Sequence, residues 1–191
     1  MFQKQQDFYT VEEYFALEKL ADYKSEYYQG EIFAMAGGSA NHNRIARNVC
    51  VALSNALGSR PCEVFISDMR LLVERKGLYT YPDVMVVCGQ LEFVEGRTDT
   101  ITNPTVIVEV LSASTEAYDR GKKFEFYRTI ETFEEYVFID QERVQLEYFH
   151  RLDDKQWMLM ALNDLTETVT LQSIEVEIPL DIIYRHIDWE A

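Results

Sequence analysis

The stretch Thr105–Leu111, TVIVEVL, carries one glutamate, Glu109, inside an otherwise apolar run. Valine and isoleucine runs of this kind read as strands buried on both faces. A carboxylate in such a strand is costly unless something compensates it. About 25 residues upstream, Pro82-Asp83 opens a second run of the same character, VMVV (84–87). Consecutive strands commonly lie side by side. If these two do, Asp83 and Glu109 can share one hard cation. Magnesium takes oxygen ligands and keeps several waters, so two carboxylates and the Val110 carbonyl suffice as protein ligands.

Outward from this pair the chain alternates helices and strands. Thr10 and Glu13 form a capping box for a helix to about Leu20. Lys24–Ala36 reads as strand, turn at Gln29-Gly30, strand. After Gly37-Gly38-Ser39, a helix starts at Asn41 and ends near Gly58. Glu63–Val73 and Tyr79–Val87 read as two consecutive strands around Glu74–Gly77. A polar stretch, Gly89–Asn103, precedes the strand with Glu109. Ser114 or Thr115 is placed to cap a helix running to about Thr129. EYVFID (135–140) is a short strand, and the remainder is β-rich, with a turn at Asp153-Asp154 and one more strand in the tail. This order fits an α+β domain spanning 1–191, with a mixed sheet flanked by helices.

The 191 residues carry a formal charge of -15. That balance disfavours a general nucleic-acid coat or a binder of anionic membranes, because affinity for phosphate backbones grows with Lys and Arg. An enzyme that meets phosphates would need a local basic face, for which Arg44, Arg47, Arg70, Arg75, Lys76, Arg120 and Lys122 are available, or a partner that delivers its substrate. No run approaches the roughly 18 apolar residues of a membrane span. The start, MFQKQQDFYT, has no apolar leader core. Cys50, Cys62 and Cys88 are odd in number and form no CxxC pair. They read as buried free thiols of a cytoplasmic protein. His150 and His186 read as surface residues. GxGxxG, the Walker lysine loop, HExxH and GxSxG are all missing.

A cation is also needed to orient water and steady the transition state. Asp119 and Lys123 stand four apart on one helix face. Lys123 can reach back toward the carboxylates, or the two can form a solvent-facing pair.

Together these residues resemble a known family. They are Tyr81-Pro82-Asp83-Val84, Val108-Glu109-Val110-Leu111-Ser112 with Ser114-Thr115, Tyr118-Asp119-Arg120-Gly121-Lys122-Lys123-Phe124, Tyr127-Arg128 and Glu135-Tyr136, with SEYYQGEIFAMAGGSANHNRIARN near the start. The set is similar to the Uma-type restriction endonuclease family, formerly a domain of unknown function, in the PD-(D/E)XK nuclease superfamily. The resemblance implies a restriction-endonuclease-like core with extra hairpins at both ends. It also implies Mg²⁺ (with Mn²⁺ as a substitute) held by Asp83 and Glu109, and endonucleolytic hydrolysis of DNA. The superfamily's lysine falls two residues after the acid, where this chain has Leu111. The resemblance implies that Lys123 takes that role and that Lys122 faces solvent. Glu26 also matches the family pattern as a third acid, and His42 as a base or phosphate contact. Gln29 stands where many relatives carry an acid. By analogy with restriction nucleases, a homodimer is expected. Two rivals stay open: a catalytically inactive module that keeps the nuclease fold, and a metal hydrolase for another substrate.

Overall fold

A computed structural model describes residues 8–189. The segment read for a leader therefore lies largely outside the described residues. The fold is mixed α+β, as the sequence predicts.

The first helix, α1 (Val11–Glu18), begins with the capping box of Thr10 and Glu13. Strands β1 (Ser25–Tyr28) and β2 (Glu31–Ala34) form the hairpin turned at Gln29-Gly30. Gly30 has φ 90°, which a side chain would resist. Helix α2 (Ala40–Leu57) is capped by the Ser39 hydroxyl and ends at Gly58.

The two strands expected over Glu63–Val73 and Tyr79–Val87 are in fact four. They are β3 (Cys62–Ile66), β4 (Arg70–Val73), β5 (Leu78–Thr80) and β6 (Val84–Cys88). Each long run breaks where it leaves one sheet for another. The breaks fall at Ser67–Met69, where Ser67 has φ 51°, and at Tyr81–Asp83, where proline cannot donate to a ladder. The polar stretch contributes a two-residue strand, β7 (Thr100–Ile101).

Next come β8 (Val106–Leu111) and a helical segment in three parts: α3 (Glu116–Tyr118), a π-helical turn (Asp119–Lys123) and α4 (Phe124–Tyr127). The expected hydroxyl cap is not formed. Ser114 and Thr115 instead turn their hydroxyls to that of Ser112, both at 3.0 Å. Then follow β9 (Glu135–Asp140), β10 (Leu146–Arg151) and β11 (Trp157–Leu162). The tail holds a hairpin of two strands rather than one, β12 (Thr168–Leu171) and β13 (Val176–Pro179), before α5 (Leu180–Ile183).

The central sheet has the order β11-β10-β9-β8-β6-β3, with β8 parallel to β9 and antiparallel to β6. A second sheet runs β2-β1-β5-β4-β7. Side chains alternate across β8. Val106, Val108 and Val110 join the core under α2, the tail hairpin and α5. Ile107 and Leu111 join a separate core with Phe126, Tyr127, Tyr136 and Phe138. Glu109 has the parity of this second set, so it points toward the helical segment after β8. Leu111 is 4% exposed in that apolar core.

The cysteine expectation is corrected. Cys62 and Cys88 are direct partners in the β3–β6 register and are joined as a disulfide, while Cys50 is free. Strands so paired bring opposite side chains together whatever their spacing in sequence. His150 is also not a surface residue. It is half-buried, with Nδ1 3.2 Å from the fully buried Glu135 carboxylate. His186 is exposed, as predicted. Among the described residues no helix is long and apolar enough to cross a membrane.

Candidate metal and phosphodiester site

An open cleft of about 1820 Å³ lies where the two sheets and the segment after β8 meet. Glu26, His42, Asp83, Glu109, Val110 and Lys123 all line it. These are the sequence-predicted site residues, and the fold brings every one of them to the same hollow.

The pairing of β6 with β8 sets Val84 opposite Val108. Asp83 and Glu109 therefore sit at the same end of adjacent strands. They exchange backbone contacts: the Val110 amide donates to Asp83 Oδ2 at 2.8 Å, and the Asp83 amide donates to Glu109 Oε2 at 3.4 Å. From α2, His42 Nε2 reaches Asp83 Oδ2 at 3.2 Å. Burial lowers the affinity of the imidazole for its proton. The Asp83 carboxylate outweighs this, with smaller help from Asp119 and the Val110 carbonyl, and holds His42 above the ordinary imidazole range.

The ammonium of Lys123 turns inward. Its Nζ lies 3.0 Å from Asp119, 3.2 Å from Glu109 and 3.4 Å from Glu26, and the residue is 5% exposed. Asp119 and Lys123 are thus a buried pair rather than a solvent-facing one. Lys122, the neighbour, is exposed, with its ammonium 4.3 Å above the Tyr28 ring. Burial opposes the charge on Lys123, but the surrounding carboxylates keep it protonated well above the usual lysine range. Burial of Glu109 pushes its carboxyl well up; Lys123 opposes this, and Asp119 and Asp83 reinforce it. Three acids around one ammonium leave an excess of negative charge, which favours a proton on the buried Glu109 carboxyl.

Two contributors had no role assigned from sequence; Tyr127 carried only the family resemblance. The Tyr127 hydroxyl donates to Glu109 Oε1 at 3.1 Å, and the Thr80 hydroxyl donates to Glu26 Oε1. Tyr127 stands four residues beyond Lys123, as Lys123 does beyond Asp119, so the helical repeat of four was the available signal. A second polar cluster borders the cleft. Arg70 and the Tyr81 hydroxyl both donate to Glu18 Oε2, tying α1 to the segment that carries Asp83.

The donor set suits a hard cation. Its oxygens are carboxylate or carbonyl, and Glu109 Oε2 has only the long contact with the Asp83 amide. Among the described residues no three His, Cys, Asp or Glu side chains form a metal cluster. The fit is to two carboxylates and a carbonyl, with waters completing the shell.

Four of the seven cations available for a basic face are taken up by acids. Arg70, Arg75, Lys76 and Arg120 are each held by carboxylates. In an acidic chain most cations find a neighbouring acid before they find open surface.

A family profile, Uma2, described as "Putative restriction endonuclease", matches residues 11–182. The chain belongs to the Uma2 family. Two uncharacterised proteins of Synechocystis sp. (strain ATCC 27184 / PCC 6803 / Kazusa) are similar to it. One, sll1609, is 44% identical over 80% of this chain and 86% of its own. The other, slr1290, is 36% identical over 92% of this chain and 91% of its own. The fold is similar to a crystal structure titled as a putative nuclease belonging to DUF820 from Anabaena variabilis ATCC 29413. The TM-score is 0.73 at 16% identity, covering 92% of this chain and 97% of that one. At that identity the likeness concerns the fold.

Proposed function

We propose that this Uma2 protein is a Mg²⁺-dependent endonuclease that hydrolyses DNA phosphodiester bonds, a PD-(D/E)XK enzyme whose lysine has moved to the following helix. The supporting observation is the inward Lys123 ammonium, 3.2 Å from a Glu109 carboxylate whose other oxygen faces the Asp83 backbone. Asp83, Glu109 and the Val110 carbonyl would hold the ion, and Mn²⁺ would substitute for it. The bound ion would polarise a phosphoryl oxygen and lower the pKa of a coordinated water.

The chain's own residues supply the rest. Lys123 steadies the charge that develops on the phosphoryl group and orients the attacking water. Glu26 and Asp119 hold that ammonium in place. His42, whose proton affinity Asp83 raises, stands where it can donate a hydrogen bond to a phosphate. With four of seven candidate cations already paired, the DNA is delivered by a partner or met by a homodimer.

The test is plasmid DNA with Mg²⁺ or Mn²⁺ against the parent chain, Asp83→Ala and Glu109→Ala. Cleavage by the parent and loss in both variants is expected; cleavage that survives both substitutions refutes the assignment.

One observation favours a second reading, an inactive interaction module. Lys123 already has three carboxylate partners, and an ammonium so occupied can serve the fold alone. Calorimetry separates the two. No Mg²⁺ or Mn²⁺ binding up to millimolar metal supports the module; binding abolished by Glu109→Gln supports the enzyme.

A further inference from the structure

Glu109 has two carboxylate oxygens in unequal surroundings. Oε1 accepts from the Lys123 ammonium at 3.2 Å and from the Tyr127 hydroxyl at 3.1 Å. Oε2 has one long contact, with the Asp83 amide at 3.4 Å. Tyr127 cannot easily swing away. It is 0% exposed, and its ring packs edge-on against Phe133 and Tyr136, with centroids 5.9 and 5.4 Å apart.

The backbone sets both donors in line with Asp119. In an α-helix a step of four residues overshoots a full turn by about 40°. From Asp119 to Lys123 the chain forms a π turn, which is wider and rotates back the other way. From Lys123 to Tyr127 it is α-helical. The two drifts offset, so Asp119, Lys123 and Tyr127 stay in line over Glu109.

We propose that Tyr127 is a positioning residue that, with Lys123, holds Oε1 of Glu109 and so presents Oε2 alone to a divalent cation, making the site favour magnesium-sized over calcium-sized ions. The chemistry is that of coordination number. Mg²⁺ and Mn²⁺ suit one oxygen from each carboxylate in an octahedral shell, whereas Ca²⁺ readily takes both oxygens of one carboxylate in a larger shell. A glutamate with one oxygen tied to two donors cannot chelate through both. Partners of this kind, which touch a ligand rather than the metal, carry about 10–100-fold of metal affinity.

The inference rests on the magnesium reading above, and the experiment keeps their failures apart. Mn²⁺ and Ca²⁺ are titrated calorimetrically into the full chain and into Tyr127→Phe. Mn²⁺ affinity should fall by about tenfold in the variant. Ca²⁺ affinity should hold or rise, so the Mn²⁺-over-Ca²⁺ preference narrows. A merely structural loss would weaken both ions by the same factor, and that result, or an unchanged preference, overturns the proposal while the metal site stands. A parent chain that binds neither ion overturns the metal reading itself. A second measurement needs no tyrosine variant. Metal-difference infrared spectra of the parent chain, with Glu109→Gln to assign the band, should place the Mn²⁺-bound Glu109 carboxylate in the wide-splitting, one-oxygen class; a narrow, two-oxygen splitting refutes the proposal.

Discussion

Lys123→Met removes the ammonium from among three carboxylates while keeping nearly the same length and volume. Lys123 is 5% exposed, Glu109 3% and Asp119 2%. Water therefore cannot replace the lost partner, and the substitution leaves buried acids uncompensated. Breaking a buried pair from one side costs about 3–5 kcal/mol. In a chain of this size each kcal/mol moves the melting temperature by about 2–4 °C, so a fall of about 6–20 °C is expected at pH 7. The pH dependence has a definite sign. The parent's Lys123 is held protonated above the usual lysine range, so its contribution is complete below the unfolded lysine value and constant through neutral pH. In the variant the dominant group is Glu109, whose carboxyl burial raises. A raised acid penalises folding above its folded value and ceases to do so below about 4.5, the unfolded glutamate value. The stability gap between parent and variant should therefore narrow as pH falls from 7 toward 5. Adding Asp119→Asn, which removes one of the stranded charges, should recover part of the loss. Thermal melts followed by circular dichroism at several pH values give all three numbers. A fall under about 3 °C at pH 7, or a gap that widens on acidification, would mean that this ammonium is solvated and does not hold the acids together.

Three further outcomes follow from the same geometry. Glu18→Gln weakens the charged hydrogen bonds from Arg70, though Asp99 at 3.4 Å remains. A loss of about 2–3 kcal/mol is expected by denaturant melts. Burial raises the Glu18 carboxyl, but the hydrogen bonds from Tyr81, the Ser25 amide and Arg70 prevail and depress it. Its contribution is thus present above the unfolded glutamate value and vanishes as pH falls through the depressed one, and a deficit that persists unchanged in strong acid contradicts the pairing. Gly38→Ala would put a methyl 2.6 Å from His42 Nδ1 and 2.9 Å from its Cγ. The ring must move off Asp83, and its proton affinity, read by imidazole NMR titration, should fall. Arg75→Ala serves as the contrast. Arg75 and Glu131 have side chains 66% and 85% exposed, so the substitution should change stability by less than about 1 kcal/mol.

The sequence made the elements of the site more legible than their assembly. The TVIVEVL run revealed its strand because a lone charge among valines has few other readings. The capping box at Thr10 and the turn at Gln29-Gly30 were legible for the same reason, since each rests on contacts within a few residues. Most of the misread portions depend on partners far along the chain. Glu63–Val73 reads as one strand through its polar Ser67-Asp68, and its two halves belong to different sheets. Cys62 and Cys88 are 26 residues apart, and nothing local says that antiparallel register makes them neighbours. The basic residues look available in sequence, because their paired acids, such as Glu131 for Arg75 and Glu147 for Arg120, are distant in it.

Leu111 shows how these two kinds of information combine. Read locally, an apolar residue in the lysine position looks like a lost catalytic group. Its strand parity places it in the core with Phe126 and Phe138. The acid two residues earlier has the same parity, but it lies where the π turn brings Lys123 and Tyr127 overhead. The ammonium can approach Glu109 from the helix without burying a charge in that core. Lys123 thus brings its cation to the acid while the strand stays apolar beyond it. Lys123 and Tyr127 stand one α-helical step apart and meet the same oxygen of Glu109 together, and the π turn before them keeps Asp119 in line with the pair.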